Sequence, residues 1–67
     1  MLADNIKKLR RQKQLSQDKL ARLADMPYNT LIKLESGRSN NPTFDTLAKL
    51  ADALKVSLDD LTGRKKR

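Results

Sequence analysis

Residues 25–27 (Asp-Met-Pro) interrupt a helical pattern near the middle of the 67-residue chain. Proline lacks an amide proton and pushes the residue before it out of helical geometry, so no regular helix continues through this point. Upstream, Ser16 opens an apolar pattern at helical spacing, which predicts helix 2 over residues 17–24. Downstream, the pattern resumes until Gly37, which tolerates a left-handed stop, and predicts helix 3 over residues 28–36. Two helices this short, joined by a three-residue turn, are unusual in an antiparallel bundle.

Three further helices complete an all-α prediction. Apolar residues at helical spacing predict helix 1 over residues 3–13, with Asp4 or Asn5 near its amino-terminal end. Thr43 is expected to cap helix 4, and Ser57 begins a capping box that opens a short helix 5. The apolar positions at this spacing are Leu20, Ala21, Leu23 and Ala24 in helix 2, Phe44, Leu47, Leu50, Ala51 and Leu54 in helix 4, and Leu58 and Leu61 in helix 5.

The composition excludes several classes of protein. The chain has room for one domain, and 37% hydrophobic residues are too many for a disordered chain. It contains no cysteine and no histidine, which removes disulfides, the usual zinc ligand sets and the commonest general base. We therefore expect no enzyme, metal or cofactor. No apolar run approaches a membrane span, and the first residues lack a signal-peptide core, so we expect no membrane association and a cytoplasmic location.

The charge balance favours a polyanion as partner. Fifteen Lys and Arg oppose eight Asp and Glu, for a net charge of +7. Four of the basic residues stand at positions 64–67, which leaves 11 basic against 8 acidic residues in the rest of the chain. We expect a folded domain over residues 1–62 and a basic flexible tail over residues 63–67. The rest of the chain is only mildly basic, so net charge alone does not identify the binding surface. The positions of individual residues must identify it.

The spacing of helices 2 and 3 suits a DNA-reading helix-turn-helix. Residues 15–37, followed by Asn41-Pro42 and residues 47–51, closely resemble the Cro/CI-type (XRE-like) helix-turn-helix phage repressor family, and the resemblance covers roughly Ile6 to Leu61. It implies a five-helix, lambda-repressor-like DNA-binding domain that acts as a homodimer on double-stranded DNA. Three positions depart from the family pattern, which has glycine at Asp25, Ser or Thr at Pro27, and often an acidic residue at Lys19.

The periodicity of helix 3 separates two faces. Leu31, Leu34 and Glu35 fall on one side. The other side, which we expect to face outward, carries Tyr28, Asn29, Ile32, Lys33 and Ser36. Asparagine pairs with adenine, lysine donates to guanine, and an apolar or aromatic side chain meets a thymine methyl in the major groove.

The resemblance implies that Tyr28, Asn29 and Lys33 contact bases. The alternative is that these three side chains are only solvated or contact phosphates. Ile32 either contacts a thymine methyl or covers the Leu23 end of helix 2. Thr30 lies between the faces and either reaches a phosphate or is structural.

Phosphate contacts are expected at the edges of the same surface. Gln17 lies in the first turn of helix 2, where free amides and the positive helix end favour an anion and where the family has a phosphate-binding glutamine. The alternative is that Gln17 is an ordinary polar residue of the first helical turn. Ser16 is expected mainly to cap helix 2. The loop of residues 37–42 follows the reading helix. The complete set of expected phosphate contacts is Ser16, Gln17, Thr30, Ser36, Arg38, Asn40, Asn41 and Thr43.

Arg10 and Glu35 each stand at the edge of an apolar helix face. We expect them to form a partly buried structural pair, which the family often shows, rather than to contact DNA. The sequence thus predicts a regulator, most simply a repressor, that inserts helix 3 into the major groove of a palindromic operator. The alternatives are a protein-interaction module on the same fold, such as an antitoxin or a bridging coactivator with a protein partner, and a nonspecific architectural DNA binder.

Overall fold

The computed structural model describes residues 2–38 and 42–63, and within these ranges it contains five α-helices and no strand. The helices are α1 (Leu2–Gln12), α2 (Gln17–Leu23), α3 (Tyr28–Ser36), α4 (Phe44–Leu54) and α5 (Leu58–Thr62). The all-α, five-helix prediction is therefore confirmed. No helix in the described part of the chain is long and apolar enough to cross a membrane.

The helix bounds differ slightly from those predicted. α1 begins and ends one residue earlier than expected, and Asp4 lies in its first turn, near the amino-terminal end as predicted. α2 ends at Leu23, because Ala24 leaves helical geometry as the C-cap and Asp25 then adopts a left-handed conformation with φ of 55°. Gly63 caps α5 through a bond from its amide to the Asp59 carbonyl (2.9 Å), while Arg64 and the rest of the predicted basic tail lie outside the described residues.

Side-chain caps explain where three of the helices begin. The Ser16 hydroxyl accepts a bond from the Lys19 amide, and the Thr43 hydroxyl accepts one from the Thr46 amide. Ser57 forms the predicted capping box, in which Asp60 returns the bond to its amide. Each cap satisfies a backbone donor that the helix itself leaves free.

One apolar core joins all five helices. α1 packs on α3 and α5, α2 packs on α3 and α4, and α4 packs on α5. The buried apolar residues are Ile6, Leu20, Ala21, Ala24, Leu31, Leu34, Leu50, Ala51, Leu54 and Leu61. Leu58 of α5 is partly buried and packs against this core.

Two apolar residues that the helical spacing grouped with the core are exposed. Phe44, the first residue of α4, is 71% exposed, and Leu23, the last residue of α2, is 52% exposed. Both stand at a helix end, where the side chain extends beyond the neighbouring helices although its angular position matches the apolar stripe. The apolar stripe therefore coincides with the core in the middle turns of these helices and not at these two ends.

Candidate nucleic-acid interface

The turn between α2 and α3 forms although Asp25 and Pro27 replace the residues that are usual in the family. Asp25 adopts the left-handed conformation for which glycine is suited, and aspartate is among the non-glycine residues that tolerate it best. Pro27 is the N-cap of α3 in extended geometry and provides no side-chain cap. Its carbonyl still accepts bonds from the Thr30 and Leu31 amides (3.1 and 3.4 Å), so α3 begins at Tyr28 as predicted.

The inner face of α3 anchors the helix. Leu31 and Leu34 are buried in the core, and Glu35 beside them is only 3% exposed. α3 contacts both α1 and α2, so its orientation is set from two sides. A helix held in this way presents its opposite face in a fixed position.

The outer face of α3 carries the predicted base-reading residues. Tyr28 is 47% exposed, Asn29 and Lys33 are exposed, and Ile32 is half-buried at the edge of the row. The first turn of α3 therefore presents a phenol and an amide to solvent, and the next turn presents an ammonium group. These groups together donate and accept hydrogen bonds, which is the capacity needed to distinguish base edges.

The carboxyl end of α3 continues this polar surface. The exposed Ser36 hydroxyl donates to the Lys33 carbonyl (3.0 Å) and accepts a long bond from the Arg38 amide (3.4 Å). Gly37 follows in a left-handed conformation and ends the helix, and the exposed Arg38 stands directly after it. Both predicted phosphate contacts at this end thus lie on the surface.

The first residue of α2, Gln17, contacts side chains from both ends of α3. Gln17 is half-buried, its amide nitrogen Nε2 donates to Glu35 Oε1 (3.0 Å), and its Oε1 accepts a long bond from the Tyr28 hydroxyl (3.5 Å). Ser16 is exposed and caps α2. The sequence predicts that Gln17 lies in the first turn of α2, as it does. Its contacts with Glu35 and Tyr28 could not be predicted, because helical spacing relates only residues of the same helix.

Arg10 of α1 completes this polar cluster. Its Nε donates to Glu35 Oε2 (2.7 Å), its Nη2 donates to Glu35 Oε1 (3.1 Å), and its Nη1 donates to the Leu15 carbonyl (2.9 Å). The Arg10 side chain is 12% exposed and that of Glu35 is 3% exposed. The structure thus joins the two residues in a buried bidentate pair that ties α1 to α3 and to the start of α2.

The other predicted phosphate contacts are divided between the surface and the undescribed loop. Thr30 is half-buried on α3. Thr43 is exposed, but its hydroxyl also caps α4 and bonds to the Thr46 hydroxyl (3.0 Å). Asn40 and Asn41 lie outside the described residues.

Phe44, which helical spacing grouped with the apolar positions of helix 4, is a surface residue. It is the first residue of α4 and directly follows Thr43, where the sequence predicted a backbone contact. The signal that could have distinguished it is its position as the first residue after a cap, where a side chain has no preceding helical turn to cover.

Comparisons with known proteins agree with this geometry. The family model described as helix-turn-helix matches residues 6–61. Among solved structures, the chain is similar to the crystal structure of SinR, the master regulator for biofilm formation, in complex with DNA. The two chains are 31% identical, the alignment covers 92% of this chain and 98% of that chain, and the TM-score is 0.89. No significant match is found among curated proteins. Because the family model spans most of the chain and the fold agrees with it, the chain belongs to the XRE-like helix-turn-helix family.

Proposed function

We propose that this chain is a sequence-specific, double-stranded DNA-binding transcriptional regulator that inserts α3 into the major groove of a palindromic operator. The observation that carries the proposal is the exposed row of Tyr28, Asn29 and Lys33 on a helix whose other face is firmly anchored. The major groove of B-DNA admits one α-helix, and each base pair presents there its own pattern of donors, acceptors and methyl groups. A rigid helix with an open polar face meets both requirements.

The three side chains divide the reading of bases between them. The Asn29 amide matches the paired donor and acceptor of adenine, and the Lys33 ammonium matches the acceptors of guanine. The Tyr28 hydroxyl or ring edge reaches a neighbouring base. Ile32, at the half-buried edge of the row, either meets a thymine methyl or shields the start of the turn.

Phosphate contacts supply the affinity that does not depend on sequence. Gln17, whose amide bonds to Glu35, lies alongside the reading helix, and Arg38 directly follows its carboxyl end, so both suit phosphates that border the groove. The other phosphate contacts that we propose are Ser16, Thr30, Ser36, Asn40, Asn41 and Thr43, of which Asn40 and Asn41 lie outside the described residues. SinR, to which the chain is similar, was crystallised in complex with DNA.

We propose that the regulator acts in the cytoplasm as a homodimer and represses transcription. A single domain reads only a few base pairs, and a two-fold dimer doubles the contacts by placing one α3 in each of two half-sites about 34 Å apart. Repression requires only that the bound dimer occupy the promoter, whereas activation requires a further surface.

Selection from a random duplex library tests the proposal. The wild type should enrich duplexes that share a two-fold-related motif, and the matched variant Asn29→Ala/Lys33→Ala should lose the shared motif while it keeps the fold by circular dichroism. Affinity for the recovered duplex should fall linearly when the logarithm of affinity is plotted against the logarithm of salt concentration. Binding without a shared motif would indicate an architectural protein, and no salt-dependent binding would favour the protein-interaction module.

A further inference from the structure

We infer that Gln17 sets the hydrogen-bonding polarity of Tyr28, so that Tyr28 selects a base that offers an amino group in the major groove, adenine or cytosine. This inference rests on the proposed function and adds the chemical class of base that one residue of the reading helix takes. It follows from a chain of hydrogen bonds that runs from Arg10 through Glu35 and Gln17 to the Tyr28 hydroxyl.

The chain begins at a carboxylate whose position and role are fixed. Arg10 binds both oxygens of Glu35, at 2.7 and 3.1 Å, and an arginine has donors but no acceptor. The paired Glu35 is ionised and accepts bonds only. Any group that approaches its remaining lone pairs must therefore donate.

The second step orients the Gln17 amide. The atom of Gln17 that lies 3.0 Å from Glu35 Oε1 must be the NH₂ group, because a carbonyl oxygen there would face the carboxylate with no proton between them. The Gln17 Oε1 atom consequently points away from Glu35 and towards the Tyr28 hydroxyl. The NH₂ group has a second proton, which stays available for a DNA phosphate.

The third step concerns the single proton of the Tyr28 hydroxyl. The phenol oxygen lies 3.5 Å from Gln17 Oε1, and only the phenol of this pair can donate. While its proton is directed to Gln17, the Tyr28 oxygen offers lone pairs, and no proton, to a base. Tyr28 is the first residue of α3 and is 47% exposed, so its side chain is accessible to a duplex.

The last step is the pattern of the major groove. Adenine N6 and cytosine N4 present amino groups there, whereas guanine and thymine present acceptors at the equivalent position. A phenol limited to accepting is complementary to an amino group and opposed to a carbonyl oxygen. A tyrosine free of Gln17 would turn its proton outward and accept either class.

The experiment compares the wild type with Tyr28→Phe, Gln17→Met and the double variant on one operator, and Lys33→Ala is the matched control on the same helix. The operator is the duplex recovered by library selection, and the position tested is the one whose preference changes in Tyr28→Phe. Dissociation constants are measured for all four base pairs at that position, and for duplexes that lack the exocyclic amino group, with purine replacing adenine or 2-pyrimidinone replacing cytosine. Circular dichroism melts establish that each variant is folded, and Gln17→Ala serves as a second variant without the acceptor.

We expect the wild type to lose about 3- to 10-fold in affinity when the amino group is deleted, the range of one hydrogen bond. Tyr28→Phe should be indifferent to the deletion. Gln17→Met should bind every duplex more weakly, because a phosphate contact is lost, and should also bind the amino and carbonyl classes about equally at this one position. Lys33→Ala should keep the amino preference here and lose a preference at another position.

Three results would overturn the inference and leave the proposed function standing: an amino deletion that has no effect on the wild type, no base position that depends on Tyr28, or a Gln17→Met variant that keeps the wild-type ratio between the two classes. The last of these would mean that Gln17 contacts only phosphate. A wild type that selects no duplex from the library would overturn both the inference and the proposed function.

Discussion

Glu35 carries its charge at 3% exposure, and three hydrogen bonds replace the water that it has lost, two from Arg10 and one from Gln17. The bidentate geometry matters because an ion pair out of water is favourable only when its remaining lone pairs are also satisfied. Among the described residues, no buried side-chain nitrogen or oxygen lacks a hydrogen-bond partner. This residue thus links the stability of the fold to the orientation of the reading surface.

Removal of Arg10 should destabilise the fold more than removal of Glu35. Arg10→Met leaves a carboxylate that cannot reach water and should cost about 3 kcal/mol, whereas Glu35→Leu leaves an arginine that is closer to solvent. The double variant should cost less than the sum of the two single variants. Urea unfolding at neutral pH measures all three. Lys7→Met, which breaks the exposed pair with Asp4 (3.9 Å), is the matched control and should cost under about 0.5 kcal/mol. Additive costs would show that the buried pair is not coupled.

Lys33→Ala tests the base-reading face at a single position. Lys33 is exposed on the outer face of α3, so its removal should leave the stability nearly unchanged. On the preferred duplex, the variant should lose about 1–3 kcal/mol of binding free energy and discriminate less at one base position. Fluorescence anisotropy on a set of single-base operator variants measures both effects. An equal loss on every sequence would instead assign Lys33 to a phosphate.

At the scale of the elements, helix ends decide how the reading helix is placed. Hydroxyl caps begin α2, α4 and α5, and left-handed residues end α3, α4 and α5. Two of these three ends use glycine, and the third uses Lys55 with φ of 59°. Short helices gain little stability from their length, so the caps and turns largely determine where each helix begins and ends.

Ser16→Ala should separate the capping role of this residue from its proposed phosphate contact. Loss of the bond to the Lys19 amide (3.0 Å) should cost about 1 kcal/mol of unfolding free energy. Ser16→Asp restores a good cap and should recover the stability, yet it should weaken duplex binding, because a negative charge then faces the phosphates. Thermal melts and anisotropy titrations give the two quantities. Full duplex affinity in Ser16→Asp would place residue 16 away from the DNA.

Lys55→Gly should stabilise the fold. A left-handed non-glycine residue carries about 1–2 kcal/mol of strain, and the extra chain entropy of glycine offsets about 0.5–1 kcal/mol of the relief. We expect a net gain of up to about 1.5 kcal/mol, and each kcal/mol raises the melting temperature by about 4–8 °C in a domain of this size. Lys55→Ala is the control: it also removes the charge, but it keeps the Cβ atom and should give no gain. A gain in both variants would identify charge repulsion as the cause.

At the scale of the whole molecule, five helices around one small core produce a single rigid binding face. The contacts of α3 with α1 and α2 leave the row of Tyr28, Asn29 and Lys33 outside the core, so the core and the reading surface share a helix without sharing side chains. Substitutions on the outer face can therefore change the operator with little effect on folding. This separation suits a domain that is too small to lose much stability.

In the proposed dimer, the spacing between the half-sites should determine the affinity for the operator. Two α3 helices related by a two-fold axis fit major grooves about one helical turn apart, and about five inserted base pairs rotate one half-site to the opposite side of the duplex. The operator with the inserted base pairs should therefore bind the protein no better than a duplex with one half-site does. A mobility-shift titration at constant salt measures both affinities. Equal affinity for the spaced and unspaced operators would show that the protomers bind independently.

Local signals in the sequence were enough to predict the helices and the two faces of α3. Proline, the hydroxyl caps and Gly37 act on neighbouring backbone atoms, so their effects can be read from a few adjacent residues. The burial of Leu31, Leu34 and Glu35 followed from helical periodicity and is confirmed. Periodicity gives only an angle around the helix, however, which is why Leu23 and Phe44 share the spacing of the apolar stripe although both are exposed.

The sequence by itself determined the five helices, the family and the residues that α3 turns outward, because each depends on local spacing or on a motif. Only the tertiary structure decided which side chains meet across helices. The bond from Gln17 to Glu35 joins residues 18 apart, and the bond from Tyr28 to Gln17 joins residues 11 apart on another helix. Such contacts depend on how the helices pack, and packing is a property of the whole core, not of any one segment.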